Sequence, residues 1–216
     1  MTTPTVTSKS LMTTPPQSTD TMVKERGKIC VFGASSRNIG KEYVDAAYRL
    51  GTLMAHRGWE CLNGAGSEGL MRAVSDGVLD AGGTAVGVIP QFMIDNGWHY
   101  DRLTSIIATA TMHDRKQRLA LMSQAVIALP GGCGTMEELL EAITWRQLGL
   151  APKPIVLLNT LGYYDHLEEM LTHAIDEGFM KKSHHRLWQM ADSPEAVLDI
   201  IERELSQAPQ SIESKY

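Results

Sequence analysis

Short apolar runs alternate with longer segments of helical periodicity along most of the chain. Runs with the length and branching of buried strands occupy 28–32, 59–63, 84–89, 103–109, 125–129, 154–158 and 188–190. Apolar residues recurring every three or four positions predict helices over 41–56, 112–123, 137–148, 163–177 and 194–205, and one that ends near 81. This alternation predicts an α/β fold: a parallel sheet of about six or seven strands, built by right-handed crossovers, with helices on both faces.

Composition separates the two ends of the chain from its middle. Residues 1–27 are rich in Thr and Ser, contain Pro4, Pro15 and Pro16, and show no hydrophobic period. Burial cannot offset the entropy of ordering such a segment. We therefore predict a disordered extension over 1–27, a single domain over 28–206 and a frayed tail over 207–216.

Charge and residue usage exclude several classes of function. Of the 216 residues, 43% are hydrophobic, and the formal charge of −5 argues against nucleic acid as a partner. No apolar run is long enough to span a membrane, and the N-terminus lacks the apolar core of a signal peptide. Three scattered cysteines indicate a reducing cytoplasm, and the histidines never occur at metal-binding spacing, so no metal is predicted.

Three glycine-containing loops follow predicted strands, beginning at Gly33, Gly64 and Gly131. Because ligands of parallel sheets bind at the carboxyl ends of the strands, we expect these loops, with Ser35 and Gly66, to line one cleft. Residues 64–69 also match the dinucleotide pattern G-x-G-x-x-G. That pattern needs an acidic residue at the end of the next strand, and residues 88–91 read Val-Ile-Pro-Gln. Tight turning or substrate lining is therefore favoured over NAD binding.

The stretch over 129–138 joins a buried strand, a glycine turn and the start of a helix. This arrangement aims backbone N–H groups and the positive end of a helix at an anion. No Lys-Ser or Lys-Thr pair follows the glycines, as a nucleoside triphosphate loop would require. The stretch therefore predicts a monophosphate site in which backbone N–H groups and Thr135 suffice without a metal or cofactor.

Two polar clusters allow both a structural and a functional interpretation. Thr135 and Glu138 have the spacing of a capping box, in which Thr135 caps the helix and Glu138 reaches back to its N–H. Alternatively, an acid in the first turn of a phosphate-binding helix lies where the attached sugar would be. Adjacent cations at Arg115 and Lys116 are electrostatically unfavourable at a helix start, which favours a role directed at a ligand.

These residues resemble a known family. Residues 130–138, Pro-Gly-Gly-Cys-Gly-Thr-Met-Glu-Glu, fit the P-G-G-x-G-T-x-x-E signature of the Lonely Guy family of cytokinin riboside 5'-monophosphate phosphoribohydrolases. A second family element, an Arg-Lys pair preceded by Met, occurs here as Met-His-Asp-Arg-Lys over 112–116. The resemblance covers about 28–202 and continues through 144–149, 153–154 and 162–165.

The resemblance implies a Rossmann-like three-layer sandwich, a dimer, and hydrolysis of the N-glycosidic bond of a nucleoside 5'-monophosphate without a cofactor. It implies that Arg115 and Glu138 are the catalytic pair. The residues implied to line the substrate are Lys116, Gly131, Gly132, Cys133, Gly134, Thr135, Met136, Glu137 and Thr144. A nucleotide or molybdenum-cofactor carrier and a broad purine and pyrimidine nucleotide nucleosidase remain alternatives. Lysine decarboxylation is disfavoured, because no His-Lys dipeptide typical of a pyridoxal enzyme occurs.

Three positions depart from the family pattern. Asp114 stands where the family commonly has Glu, which is a mild change. Ala65 replaces the middle residue of a glycine triplet, so we expect its methyl group to face an approaching ligand. In the family, a Glu upstream of the Arg-Lys pair contacts the substrate. By spacing this Glu would fall near Gly97 in the present chain, where the nearest acidic residue is Asp95. Contacts with substrate from 90–101 are therefore not carried over.

Overall fold

The computed structural model describes residues 27–207, which contain seven parallel strands in one sheet. The strands are β1 (Gly27–Phe32), β2 (Trp59–Asn63), β3 (Ala85–Pro90), β4 (Ser105–Thr109), β5 (Ala125–Ala128), β6 (Ile155–Leu158) and β7 (Gln189–Ala191). Their order in the sheet is β4-β3-β2-β1-β5-β6-β7, and every neighbouring pair is parallel. The predicted α/β class, strand number and strand direction are confirmed.

Helices cover both faces of this sheet. They are α1 (Lys41–His56), α2 (Gly69–Asp80), α3 (Gln91–Asp95), α4 (Met112–Met122), α5 (Cys133–Gln147), α6 (Asp165–Asp176) and α7 (Pro194–Ser206). One buried core joins a sheet face to α1, α2 and α7 through residues such as Leu50, Val74 and Leu198. The other joins the opposite face to α4, α5 and α6 through Leu119, Leu139 and Ile175. The result is the expected three-layer Rossmann-like sandwich.

The differences from the predicted elements are local. No helix is predicted over 90–101, but this segment contains the short helix α3. Helix α5 begins at Cys133 with Gly132 as its N-cap, four residues before the predicted start at 137. Thr135 therefore lies in the third helical position, and the capping-box interpretation of Thr135 and Glu138 is wrong. The extension and tail predicted at the chain ends lie, apart from Gly27 and Gln207, outside the described residues.

Strand order reverses between β1 and β5, which are neighbours in the sheet although four crossovers separate them in sequence. A sheet of this type leaves a crevice at the carboxyl ends of the two strands where the order reverses. The loops that follow these two strands are the glycine loop from Gly33 and the glycine turn from Gly131. The topology therefore places the candidate site at the switch point.

Candidate active site

Backbone hydrogen bonds join the three glycine loops into one surface. The N–H of Ala34, after β1, donates to the Pro130 carbonyl after β5 over 3.1 Å. The N–H of Leu70, at the start of α2, donates to the Ala34 carbonyl over 2.8 Å. Gly69 has φ +63°, and a methyl group there would lie 2.5 Å from that carbonyl oxygen. The predicted convergence of the loops is thus observed, with Ser35 exposed between them.

The glycine turn after β5 leaves the first turn of α5 open. Gly132 is the N-cap and brings no side chain to the first helical N–H groups, which a helix leaves without internal partners. A methyl group at Gly132 or Gly134 would meet nothing within 4 Å, whereas one at Gly131 would lie 2.1 Å from Oγ1 of Thr135. Thr135 is buried behind the turn, Met136 is half-buried, and Cys133 is exposed. Donors and the positive helix end therefore face an open space that suits an anion.

Arg115 and Glu138 meet beside this open turn. Arg115 Nη2 lies 3.2 Å from Glu138 Oε1, and the side chains are 10% and 12% exposed. Arg115 Nε donates to the carbonyl of Val88 in β3 over 3.1 Å. Arg115 comes from the first turn of α4, where the Thr111 hydroxyl accepts from the Asp114 N–H over 3.0 Å. The two residues that the family signature singles out thus form a nearly buried ion pair.

Burial sets the electrostatics of this pair. Burial of Glu138 raises the pKa of its carboxyl above the ordinary 4.5, and the Arg115 guanidinium acts in the opposite direction. Desolvation is the larger effect. The carboxylate loses more hydration free energy by leaving water than its attraction to one guanidinium at 3.2 Å restores. Such a carboxylate binds a proton more readily at neutral pH than an exposed one.

The loop after β2 gives Arg115 the space it occupies. A methyl group at Gly64 would lie 2.0 Å from Arg115 Nη2, so the guanidinium rests directly on this glycine. Ala65 adopts φ +61° and is fully buried. The Ala65 methyl group faces Gly87 in β3 rather than the cleft. A methyl group added at Gly87 would lie only 2.6 Å from the Ala65 methyl carbon. The expectation that Ala65 would crowd a ligand is therefore wrong.

Lys116 and Glu137 form a second charged group at the mouth of the site. Lys116 Nζ lies 2.5 Å from Glu137 Oε1 and 3.1 Å from Glu141 Oε1. The hydrogen bond to Glu137 is the largest cause of a raised pKa of Lys116, and the hydrogen bond to Glu141 acts in the same direction. Glu141 was not predicted, although it follows Glu137 by one helical turn, a spacing that places both carboxylates on the same face.

Two of the predicted substrate residues make their contacts with segments other than the open turn. Gly66 forms an isolated antiparallel bridge with His99, so it joins the β2 loop to the segment after α3. Thr144 is exposed on α5 and donates to the Leu140 carbonyl of its own helix over 2.8 Å. Nine residues separate Thr144 from Thr135, which is about 14 Å along a helix. Within one chain, Thr144 does not line the cleft.

Sequence patterns did not predict the backbone contacts that hold the site in place. The Val88 carbonyl, the Tyr163 hydroxyl on the Gly131 carbonyl and the space at Gly64 all depend on contacts between distant segments. Within residues 27–207, no group of three or more potential metal ligands comes together. No helix in the same range is long and apolar enough to cross a membrane.

Comparisons of the sequence find close relatives. The family model described as "Possible lysine decarboxylase" matches residues 71–201. Cytokinin riboside 5'-monophosphate phosphoribohydrolase LOG4 of Arabidopsis thaliana is 40% identical over 197 residues, which cover 91% of this chain and 91% of the relative. Probable cytokinin riboside 5'-monophosphate phosphoribohydrolase LOGL6 of Oryza sativa subsp. japonica is 41% identical over 175 residues, covering 81% of this chain and 70% of the relative.

Solved structures with this fold include proteins that handle the molybdenum cofactor. The molybdenum cofactor binding protein from Rippkaea orientalis superposes with a TM-score of 0.67 at 26% identity, covering 85% of this chain and 99% of that one. The molybdenum cofactor carrier protein MCP from Chlamydomonas reinhardtii superposes with a TM-score of 0.66 at 27% identity, covering 84% and 100%.

Proposed function

The chain belongs to the Lonely Guy family of cytokinin riboside 5'-monophosphate phosphoribohydrolases, and on this premise we propose that it hydrolyses nucleoside 5'-monophosphates. The bond broken is the N-glycosidic bond of AMP or of a cytokinin riboside 5'-monophosphate. The products are the free base and ribose 5-phosphate. The observation that carries the proposal is the nearly buried Arg115–Glu138 pair beside the open first turn of α5.

The glycine turn supplies the phosphate site. The free N–H groups of the first turn of α5 and the positive end of the helix bind the 5'-phosphate. Thr135, directly behind Gly131, shapes this turn from the third helical position. Binding the phosphate fixes the ribose over Glu138 and so turns binding energy into orientation of the reacting carbon.

Glu138 and Arg115 act on the ribose and on the base. Cleavage develops positive charge on the sugar, which the Glu138 carboxylate stabilises from close by. Glu138 also takes a proton from a water molecule whose oxygen bonds to C1' of the ribose. The bond between C1' and the base nitrogen breaks, its electron pair stays with the base, and the base takes up the proton. The raised pKa of Glu138 brings this carboxyl closer to the working pH of a general base.

Arg115 favours the ionised form of Glu138, against the effect of burial, and offsets negative charge on the departing base. Its hydrogen bond to the Val88 carbonyl and its contact with Gly64 hold the guanidinium in one place. Lys116 is engaged by Glu137 and Glu141, so we assign it to the rim of the phosphate site. This double ion pairing does not suit a Schiff-base lysine, and lysine decarboxylation is not part of the proposal.

The test is chromatographic detection of free base from AMP, GMP, CMP and isopentenyl-AMP. We expect release from adenine-type substrates by the wild type and none by Glu138→Gln or Arg115→Ala, each checked for folding by circular dichroism. Near-wild-type release by either folded variant contradicts the assignment of the pair. Release from all four nucleotides at similar rates indicates a broad nucleosidase instead.

A nucleotide carrier is the second candidate, favoured by the superposition on the two molybdenum-cofactor proteins. A carrier binds AMP without turnover, whereas a hydrolase releases adenine. Calorimetric binding of AMP with no product after prolonged incubation favours the carrier.

We also propose that the enzyme is a cytoplasmic homodimer. Its three cysteines are free, which is consistent with a reducing compartment. Leucines are exposed on the outer face of α4 and α5 and just after α5: Leu121, Leu140, Leu148 and Leu150. An open cleft of about 430 Å³ lies between two of them, Leu121 and Leu150, and Trp145 also lines it. A patch of this kind is typical of an interface.

Helix α1 is flanked by α2 and α7, which favours the face of α4 and α5 over α1 as the interface. Thr144 lies on this face, so in a dimer it would contact a substrate bound across the interface rather than in its own cleft. Sedimentation measurements test this assignment. We expect Leu121→Glu (74% exposed in the monomer) to shift the protein to monomers. Phe179→Glu is the control, because Phe179 is 85% exposed in the turn after α6, and it should leave the mass unchanged.

A further inference from the structure

We propose that Tyr163 is a positioning residue for the substrate phosphate, an inference that rests on the proposed function. The Tyr163 hydroxyl donates to the Gly131 carbonyl over 2.6 Å. In a planar trans peptide, the C=O and the N–H of the next residue point to opposite sides. A Gly131 carbonyl held toward Tyr163 therefore turns the Gly132 N–H away from Tyr163, which frees this donor for the phosphate.

The neighbouring carbonyls of the turn are held in the same way. The Tyr164 hydroxyl donates to the Leu129 carbonyl over 2.7 Å, and the Ala34 N–H donates to the Pro130 carbonyl over 3.1 Å. Three successive carbonyl oxygens, which would repel an anion, are thus each satisfied by a donor from another segment. Only the last of the three adjoins the first N–H groups of α5, so Tyr163 controls the peptide closest to the anion.

The segment after β6 is built to deliver this hydroxyl. Asn159 is buried, its side-chain oxygen accepts from the Tyr164 N–H over 2.8 Å, and its amide donates to Asp165 over 2.8 Å. Leu161 and Gly162 both adopt positive φ, of 54° and 71°. The Leu161 side chain is 70% exposed, so its own packing does not explain this strained conformation. Instead, the two residues with positive φ reverse the direction of the chain and bring Tyr163 back to the glycine turn.

The hydroxyl of Tyr163 can be removed without disturbing the core. Tyr163 is 39% exposed, whereas Tyr164 is fully buried. The Tyr163 ring contacts Tyr43 and Tyr164 edge-on, with centroid distances of 6.1 and 5.1 Å. Phenylalanine retains both ring contacts and loses only the hydrogen bond to Gly131. Tyr163→Phe therefore tests the tether itself.

The experiment compares wild type, Tyr163→Phe and the control Tyr43→Phe, which removes a hydroxyl from the neighbouring ring. In Tyr163→Phe we expect the KM for AMP to rise about tenfold, as for the loss of one well-placed hydrogen bond, with kcat within about twofold. Ribose 5-phosphate should bind about tenfold more weakly by calorimetry. Tyr43→Phe should match the wild type in both measurements.

The inference is overturned if Tyr163→Phe leaves both the KM for AMP and the binding of ribose 5-phosphate unchanged, whether or not kcat falls. Failure of the proposed function is distinguishable, because the wild type itself would then release no base. The calorimetric comparison with ribose 5-phosphate still tests the tether in that case, since it needs no turnover.

Discussion

Substitution of Gly64 by alanine should disable the enzyme by moving Arg115. The added methyl carbon would lie 2.0 Å from Nη2, 3.0 Å from Cζ and 3.4 Å from Nε of Arg115. An ordinary contact is about 3.5 Å, so Nη2 must retreat by about 1.5 Å. Nε is bound to the Val88 carbonyl and Nη2 faces Glu138 at 3.2 Å, so the guanidinium cannot retreat without weakening one of these contacts.

A misplacement of about 1 Å in a catalytic group costs about 100-fold in rate, or about 2.7 kcal/mol of transition-state stabilisation. We therefore expect Gly64→Ala to lower kcat/KM for AMP by about 100-fold. The free energy of unfolding should fall by only about 1–3 kcal/mol, as for other overpacked sites. Adenine release followed by chromatography, together with urea unfolding, measures both effects.

Two further variants sharpen this test. Gly40→Ala is the matched control, because the atoms nearest to its methyl group would be Glu42 Oε2 at 3.3 Å and Tyr43 at 3.5 Å rather than Arg115 or Glu138. Arg115→Lys removes the guanidinium nitrogen that the methyl group would strike. In the Arg115→Lys background, Gly64→Ala should add little further loss, so the two effects are not additive. A folded Gly64→Ala enzyme with the wild-type kcat/KM would refute the reasoning, as would full additivity with Arg115→Lys.

The remaining predictions concern stability. The pKa of Glu138 is raised in the folded protein above its ordinary 4.5, so the folded state binds more protons than the unfolded state from that pH upward to the raised value. Relative to Glu138→Gln, the wild type should therefore lose stability as pH rises through this window, with no such trend below it. Urea unfolding between pH 4 and 8 measures the difference in free energy of unfolding between the two proteins. A difference that stays constant over this range would contradict the prediction. Gly87→Ala should lower the free energy of unfolding by about 1–3 kcal/mol, because its methyl group would lie 2.6 Å from that of Ala65. Adding Ala65→Gly should restore part of that loss in a double-mutant cycle, and independent effects would show that the two residues do not compete for space.

Much of the architecture could be predicted because it follows from local patterns. Apolar runs and helical periodicity predicted the alternating elements, and their alternation implied a parallel sheet with both faces covered. The predicted helix start at 194 is confirmed, because α7 begins at Pro194 and the Ser193 hydroxyl accepts from the Ala196 N–H over 3.3 Å. Glycines after three strands predicted which loops would meet. Each of these signals lies within a few residues of the structure that it specifies.

The start of α5 shows where local signals become ambiguous. Thr135 and Glu138 fit a capping box as well as a ligand site, and both interpretations satisfy the same helix N-terminus. The structure begins the helix at Cys133 instead, with Thr135 against Gly131 and with donors from distant segments on the carbonyls of Leu129, Pro130 and Gly131. Contacts with other parts of the chain decide the start of this helix.

The sequence by itself determined the α/β alternation, the glycine turn and the residue types at its two polar clusters, since these depend on neighbours along the chain. Only the tertiary structure decided that Arg115 lies 3.2 Å from Glu138, that Gly64 makes room for it, and that the Ala65 methyl group faces the core. These contacts depend on the order of strands in the sheet, β4-β3-β2-β1-β5-β6-β7. Periodicity identifies a strand and its buried faces, but it does not specify which strand will be its neighbour.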